Sequence, residues 1–144
     1  MKTLTAIIFS LVFWATQAHA QTFYAADAYE VKITTAKGFL IEGKIYSADG
    51  YGLKDKVVGF IADGKIYSAD AYQVKDKIIG FIEGKTIFRA DAYQLKEKPA
   101  ALLADGKVYS TDVYGLKSKV IGFYSDNDNA GAACAAVLRL IRKR

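Results

Sequence analysis

Val57-Val58-Gly59-Phe60-Ile61-Ala62-Asp63-Gly64-Lys65-Ile66-Tyr67-Ser68-Ala69 reads as two β-forming runs joined by Asp-Gly. Asp-Gly between apolar runs signals a two-residue hairpin, because a type I′ turn needs positive φ at both central positions. A two-residue turn also sets the register, so Ile61 faces Ile66, Phe60 faces Tyr67 and Gly59 faces Ser68. One face of the hairpin then carries a large aromatic pair and the other a glycine opposite a serine. Aromatic cross-strand pairs stabilise by about 0.2–1 kcal/mol each.

The same unit recurs along the chain. Asp27, Asp49, Asp70, Asp91 and Asp112 each open an Asp-x-Tyr triplet, giving Tyr29, Tyr51, Tyr72, Tyr93 and Tyr114. Their spacing is 22 residues once and 21 thereafter. A fixed period of this size marks units that bury a core only by packing on their neighbours. Two further columns follow: Tyr24, Tyr46, Tyr67, Phe88 and Tyr109, then Phe39, Phe60, Phe81, Leu102 and Phe123. Just before the latter runs a small-residue column of Gly38, Gly59, Gly80, Ala101 and Gly122.

Turn chemistry repeats with the columns. Asp105-Gly106 matches Asp63-Gly64, Glu42-Gly43 is a weaker relative, and Gly84-Lys85 puts glycine first, as a type II′ turn requires. The register then pairs Phe39 with Tyr46, Phe81 with Phe88 and Leu102 with Tyr109. Two half-units remain, 22–26 and 120–124. Pairing Tyr24 with Phe123 completes a fifth hairpin and removes both sheet edges. The expected fold is all-β with one C-terminal helix: a closed antiparallel ring of about five hairpins and ten strands, with an open stack as the alternative. Segments such as 71–77 are polar with one aromatic and one aliphatic anchor, forming a loop or a short extra strand. Pro99 removes one ladder donor.

After Tyr124 the composition changes. A polar stretch, 125–129, precedes the Ala- and Leu-rich run 130–141, which ends in Arg142-Lys143-Arg144. Asp and Asn ahead of an apolar run, with cations behind it, match helix capping and the helix dipole. An apolar helix with small residues all round wants burial, and a ring of hairpins has a hollow to fill. Val137, Leu138, Leu140 and Ile141 are expected inside, against the Phe60/Tyr67 face of the sheet. Cys134 lies among alanines and reads as a buried small hydrophobe.

The chain divides at 1–20, 21–124 and 125–144. The first segment reads as a cleaved signal peptide: Lys2, an apolar run from Leu4 to Ala15, and a small-x-small Ala18-His19-Ala20 site. The run is shorter than the about 20 apolar residues of a membrane anchor. No cysteine stands at the cleavage point, so lipid attachment is not expected. The location implied is periplasmic or secreted.

The segment also holds the chain's sole Trp, Met and His. With one cysteine, no internal disulfide can form. Lysines alternate with acids through a net charge of +5, which reads as a mixed-charge surface and not a nucleic-acid face. Without histidine in 21–144, or a serine in a nucleophile-elbow motif, no enzyme and no cofactor are expected. Lysines in every repeat argue against a membrane-spanning barrel.

The Gly-Phe-x-x-Asp-Gly-x-Ile-Tyr unit from Gly59 to Tyr67, with the apolar segment 130–141, resembles the β-flower families. These are exported or membrane-associated bacterial repeat proteins that build shallow closed barrels from tandem hairpins around an apolar helix. The resemblance spans essentially all of 21–144, with Phe60 and its equivalents where those families often carry Trp. It implies the fold and the compartment, and no functional residue carries over.

The leading expectation is a non-enzymatic structural or binding module of the envelope. One alternative is a peripheral lipid-binding protein using Arg139, Arg142, Lys143 and Arg144. Another is a glycan- or cation-binding module using the five Asp-x-Tyr triplets. The aspartates either ring a cation or order the turns after their strands. The tyrosines either cover the sheet or form a ligand surface. The expected partner is an envelope component or membrane surface.

Overall fold

A computed structural model describes residues 20–125 and 127–141. The expected leader (all but Ala20) and Arg142, Lys143 and Arg144 lie outside the described residues. Ten strands follow in order: β1 Gln21–Ala25, β2 Gly38–Ile41, β3 Lys44–Ala48, β4 Lys54–Ala62, β5 Lys65–Ala69, β6 Lys75–Glu83, β7 Thr86–Ala90, β8 Lys96–Ala104, β9 Lys107–Thr111 and β10 Lys117–Tyr124. Each pairs antiparallel with its chain neighbours, and β1 pairs with β10, so the sheet closes into a barrel. Tyr24 stands opposite Phe123 at the seam.

The hairpin registers follow the turn chemistry. Phe60 faces Tyr67 and Ile61 faces Ile66, while Phe39 faces Tyr46, Phe81 faces Phe88 and Leu102 faces Tyr109. Asp63 and Gly64 have φ of 53° and 71°, the doubly positive pair of a type I′ turn, as do Glu42-Gly43 and Asp105-Gly106. At Gly84-Lys85 only the glycine is positive, at 59°. Each turn is latched to the next hairpin: the carbonyls of Gly43, Gly64, Lys85 and Gly106 accept from the N–H groups of Ile61, Ile82, Leu103 and Tyr124.

The inward face is the reverse of the one expected. Ile45, Ile66, Ile87 and Val108 point inward and are fully buried, on the face shared by the small-residue column. The Phe60/Tyr67 face points outward. The helix explains the choice. Helix α1, Asp128–Ala135, continues through a π-helical turn, Ala136–Leu140, and Ala130 to Ala136 are all buried. It approaches so closely that a Cβ on Gly122 would lie 2.6 Å from Cys134 Sγ, and one on Gly80 2.6 Å from Leu140 Cδ1. The small-residue column gives it that room. A face of paired aromatics would have left no room for the helix backbone.

Of the four aliphatic plug residues, Leu140 is buried, whereas Val137, Leu138 and Ile141 are half-buried. Outside, each aromatic of the Tyr67 column lies beneath a lysine. The ammonium groups of Lys32, Lys54, Lys75, Lys96 and Lys117 sit 4.6–4.8 Å from the ring centroids. Such contacts are worth about 0.5–1 kcal/mol at exposed sites, and the stems shield the rings.

The helix has a direction relative to the barrel ends. Asn127 caps it, its side chain accepting from Asn129 and Ala130 N–H. Asp128 accepts from the Tyr124 hydroxyl and approaches Lys85 of a hairpin turn. At the other terminus Arg89 Nη2 donates to the Arg139 carbonyl at 2.8 Å. Arg89 occupies the column held elsewhere by Ser47, Ser68 and Ser110, and it precedes the Asp91 turn. The helix therefore enters among the hairpin turns and ends toward the Asp-x-Tyr turns.

Candidate functional site

The five Asp-x-Tyr triplets form five tips at one end of the barrel. Each is a short turn ordered by its own aspartate. Asp70 Oδ1 accepts from Tyr72 N at 2.8 Å and Val74 N at 3.0 Å. Asp27, Asp49, Asp91 and Asp112 repeat both bonds. The aspartate N–H also donates to the carbonyl four residues on. These carboxylates thus organise backbone. Among the described residues they do not gather into a group that could hold a metal ion.

The fourth residue of each turn takes the left-handed conformation: Glu30, Gly52, Gln73, Gln94 and Gly115. Where it has a side chain, that side chain reaches the adjoining repeat. Gln73 Oε1 accepts from Val57 N and Gln94 Oε1 from Ile78 N, both at 2.8 Å. Glu30 accepts from Val120 N, carrying the same bond across the closure. The tips are therefore held by their bases, and neither expected anchor holds them.

Tyr29, Tyr51, Tyr72, Tyr93 and Tyr114 are 84–89% exposed, and Val31, Leu53, Val74, Leu95 and Leu116 are 56–63% exposed. The tyrosines are neither core nor cover for the sheet. Their aliphatic neighbours, expected as anchors, also face solvent. Among the described residues, the remaining exposed large apolar side chains, Ile33 and Val113, belong to the same end. The opposite end presents the turns containing Glu42, Asp63, Gly84-Lys85 and Asp105. The molecule is polarised, with its exposed apolar side chains gathered at one end.

Arg139 is exposed beside this end, at the terminus of the helix. A shallow cleft there is lined by Lys77, Arg89, Asp91, Gln94 and Leu140. Two groups with displaced proton affinities lie elsewhere, on the seam between helix and barrel. Burial pushes the Cys134 thiol up to about 12. Burial, and then the hydrogen bond to Asp128, raise Tyr124 to about 12. Both act on stability and neither faces the tips.

Sequence reasoning marked the tyrosines and missed what supports them. The Gln73 and Gln94 bonds follow from sheet pairing that brings adjoining rows together, and the Arg89 latch from the helix lying in the lumen. Two signals were present: Arg89 breaks a serine column, and Gly115 replaces a glutamine in the row beside Pro99. No family model matches the chain, and no curated protein or solved structure shows significant similarity to it.

Proposed function

We propose that this chain is an exported, non-enzymatic binding module of the bacterial envelope, and that the tyrosine-tipped end is its binding surface. The observation that carries this reading is that, among the described residues, the large exposed apolar side chains gather at that end. Exposed apolar area costs solubility and contributes nothing to a core, so its concentration at one end marks an interaction surface. The backbone bonds beneath each tip support the same reading, because they hold the tyrosines in place without burying them. Export is supported by the leader pattern ending at Ala20. The closed ten-stranded barrel with a C-terminal helix suits the resemblance to the β-flower families, to which we assign the chain.

Two measurements test the proposal. Intact mass of the protein from a fractionated bacterial host should place the mature N-terminus at Gln21 in the periplasmic or secreted fraction. An uncleaved chain retained in the cytoplasm overturns export. A variant with all five tip tyrosines changed to serine should melt like the parent and lose retention on washed envelopes. Unchanged retention removes the tips from the binding surface.

A further inference from the structure

We infer that the tyrosine-tipped end docks as a whole onto an anionic bilayer surface, with the five tips at headgroup level and Arg139 beside them. This rests on the reading of that end as the binding surface and names its partner.

The first argument is shape. The repeat places one tip between each pair of successive hairpins around a closed ring. The tips follow one another around the ring, one to a repeat, with a lysine behind each. An annulus of separate apolar points is satisfied at every point by a flat, extended partner.

Chemistry makes that partner a lipid surface. Tyrosine has an apolar ring and a polar end, the combination enriched where membrane meets water. Each tip adds a Val or Leu two residues on. Directly behind stands a lysine whose stem lies along the barrel wall, and four rows carry a second: Lys56, Lys77, Lys98 and Lys119. Apolar tip, then aromatic, then ammonium is the order of depth that a headgroup layer accommodates.

Charge makes the surface anionic. The second lysines alternate with Asp55, Asp76 and Glu97, so the wall largely balances itself. The excess positive charge comes from Arg89, Arg139 and the Arg142-Lys143-Arg144 that follows Ile141. Because the helix ends toward the tips, Arg89 and Arg139 fall at that end. The turns at the opposite end set Glu42, Asp63, Glu83 and Asp105 against Lys44, Lys65, Lys85 and Lys107, and so carry no such excess. A basic cluster beside an apolar contact is attracted to anionic leaflets, within about 10 Å of the surface at 0.1 M salt.

Single-tryptophan probes test the inference. In a Trp14→Phe background, Tyr72→Trp places the chain's one indole at a tip, and Lys107→Trp places it at the opposite end. Vesicles of phosphatidylglycerol and phosphatidylcholine should shift the emission of the tip probe to the blue and leave the other unmoved. Pure phosphatidylcholine, or high salt, should weaken co-sedimentation at least about tenfold. Arg139→Gln should weaken it by about fivefold on the anionic vesicles. Equal shifts from both probes, or no binding at low salt, overturn membrane docking. Titrating the same two probes with peptidoglycan sacculi separates the two readings. A response confined to the tip keeps that end as a binding surface with another partner, and no response to either material overturns both.

Discussion

Gly115 packs on the ring of Pro99: a Cβ built on Gly115 would lie 3.2 Å from Pro99 Cγ. Two other rows place Gln73 and Gln94 where Gly115 stands, each accepting from the N–H of Val57 or Ile78. Pro99 is the counterpart of Val57 and Ile78, and proline has no N–H to donate. Acceptor and donor are missing from the same row together, so no unpaired group is created. Pro99 instead contributes its carbonyl, which accepts from the Thr111 hydroxyl.

This pairing predicts coupling. Gly115→Gln alone should destabilise by about 1–2 kcal/mol, since the new side chain meets the Pro99 ring and finds no donor. Pro99→Val alone should leave a strand N–H without its acceptor, at a cost of about 0.5–1.5 kcal/mol. The double variant should recover most of both losses. Urea unfolding of the four proteins measures the coupling, and strictly additive losses would refute the pairing.

The glycine face predicts that Gly122→Ala unseats the helix. Its Cβ would lie 2.6 Å from Cys134 Sγ, 2.9 Å from Leu138 Cδ1 and 3.1 Å from the Tyr24 carbonyl. Overpacking of this kind costs about 1–3 kcal/mol. Ending the chain at Asn129 should be worse, leaving a hollow barrel that binds hydrophobic dyes or aggregates. A truncated chain that melts like the parent would show that the helix is no plug.

Arg89→Ser should restore the serine column and still weaken the protein locally. It removes the donor to the Arg139 carbonyl, so residues 136–141 lose their tie to the barrel wall. Amide exchange there should speed up by about tenfold while strands β2 to β5 stay protected. Unchanged exchange would mean that packing of Leu140 alone holds the turn.

Cys134 makes stability sensitive to alkali. Its folded pKa is about 12 against an ordinary 9.0, because burial disfavours the thiolate. The unfolded chain therefore releases this proton first. The stabilising contribution is complete below pH 9 and is lost as pH rises toward 12, by about 1.4 kcal/mol per pH unit. Tyr124, raised from 10.0 to about 12, acts in the same direction at slightly higher pH. A Cys134→Ala variant should show a shallower decline in melting temperature between pH 9 and 11. The native thiol should also resist disulfide reagents at pH 8 until the protein is unfolded.

Period, turn dipeptides and strand alternation are properties of neighbouring residues, so they could be read along the chain. Asp63-Gly64 set the Phe60–Tyr67 pairing, the five-fold repeat set the strand number, and two unpaired half-units at 22–26 and 120–124 called for closure. The tips were visible as residues but not as a surface. Nothing local says whether Tyr72 and Val74 fold back onto the sheet or stand out from it.

The facing of the barrel was likewise decided only when all the parts met. Both faces of each hairpin are apolar enough to form a core, and pattern alone leaned toward the aromatic one. A single helix of small residues shares the lumen with the strands, and Cys134, Leu138 and Leu140 fit against the wall where it carries only glycine. The glycine column therefore turned inward, and the larger rings went outside, where lysine stems cover them.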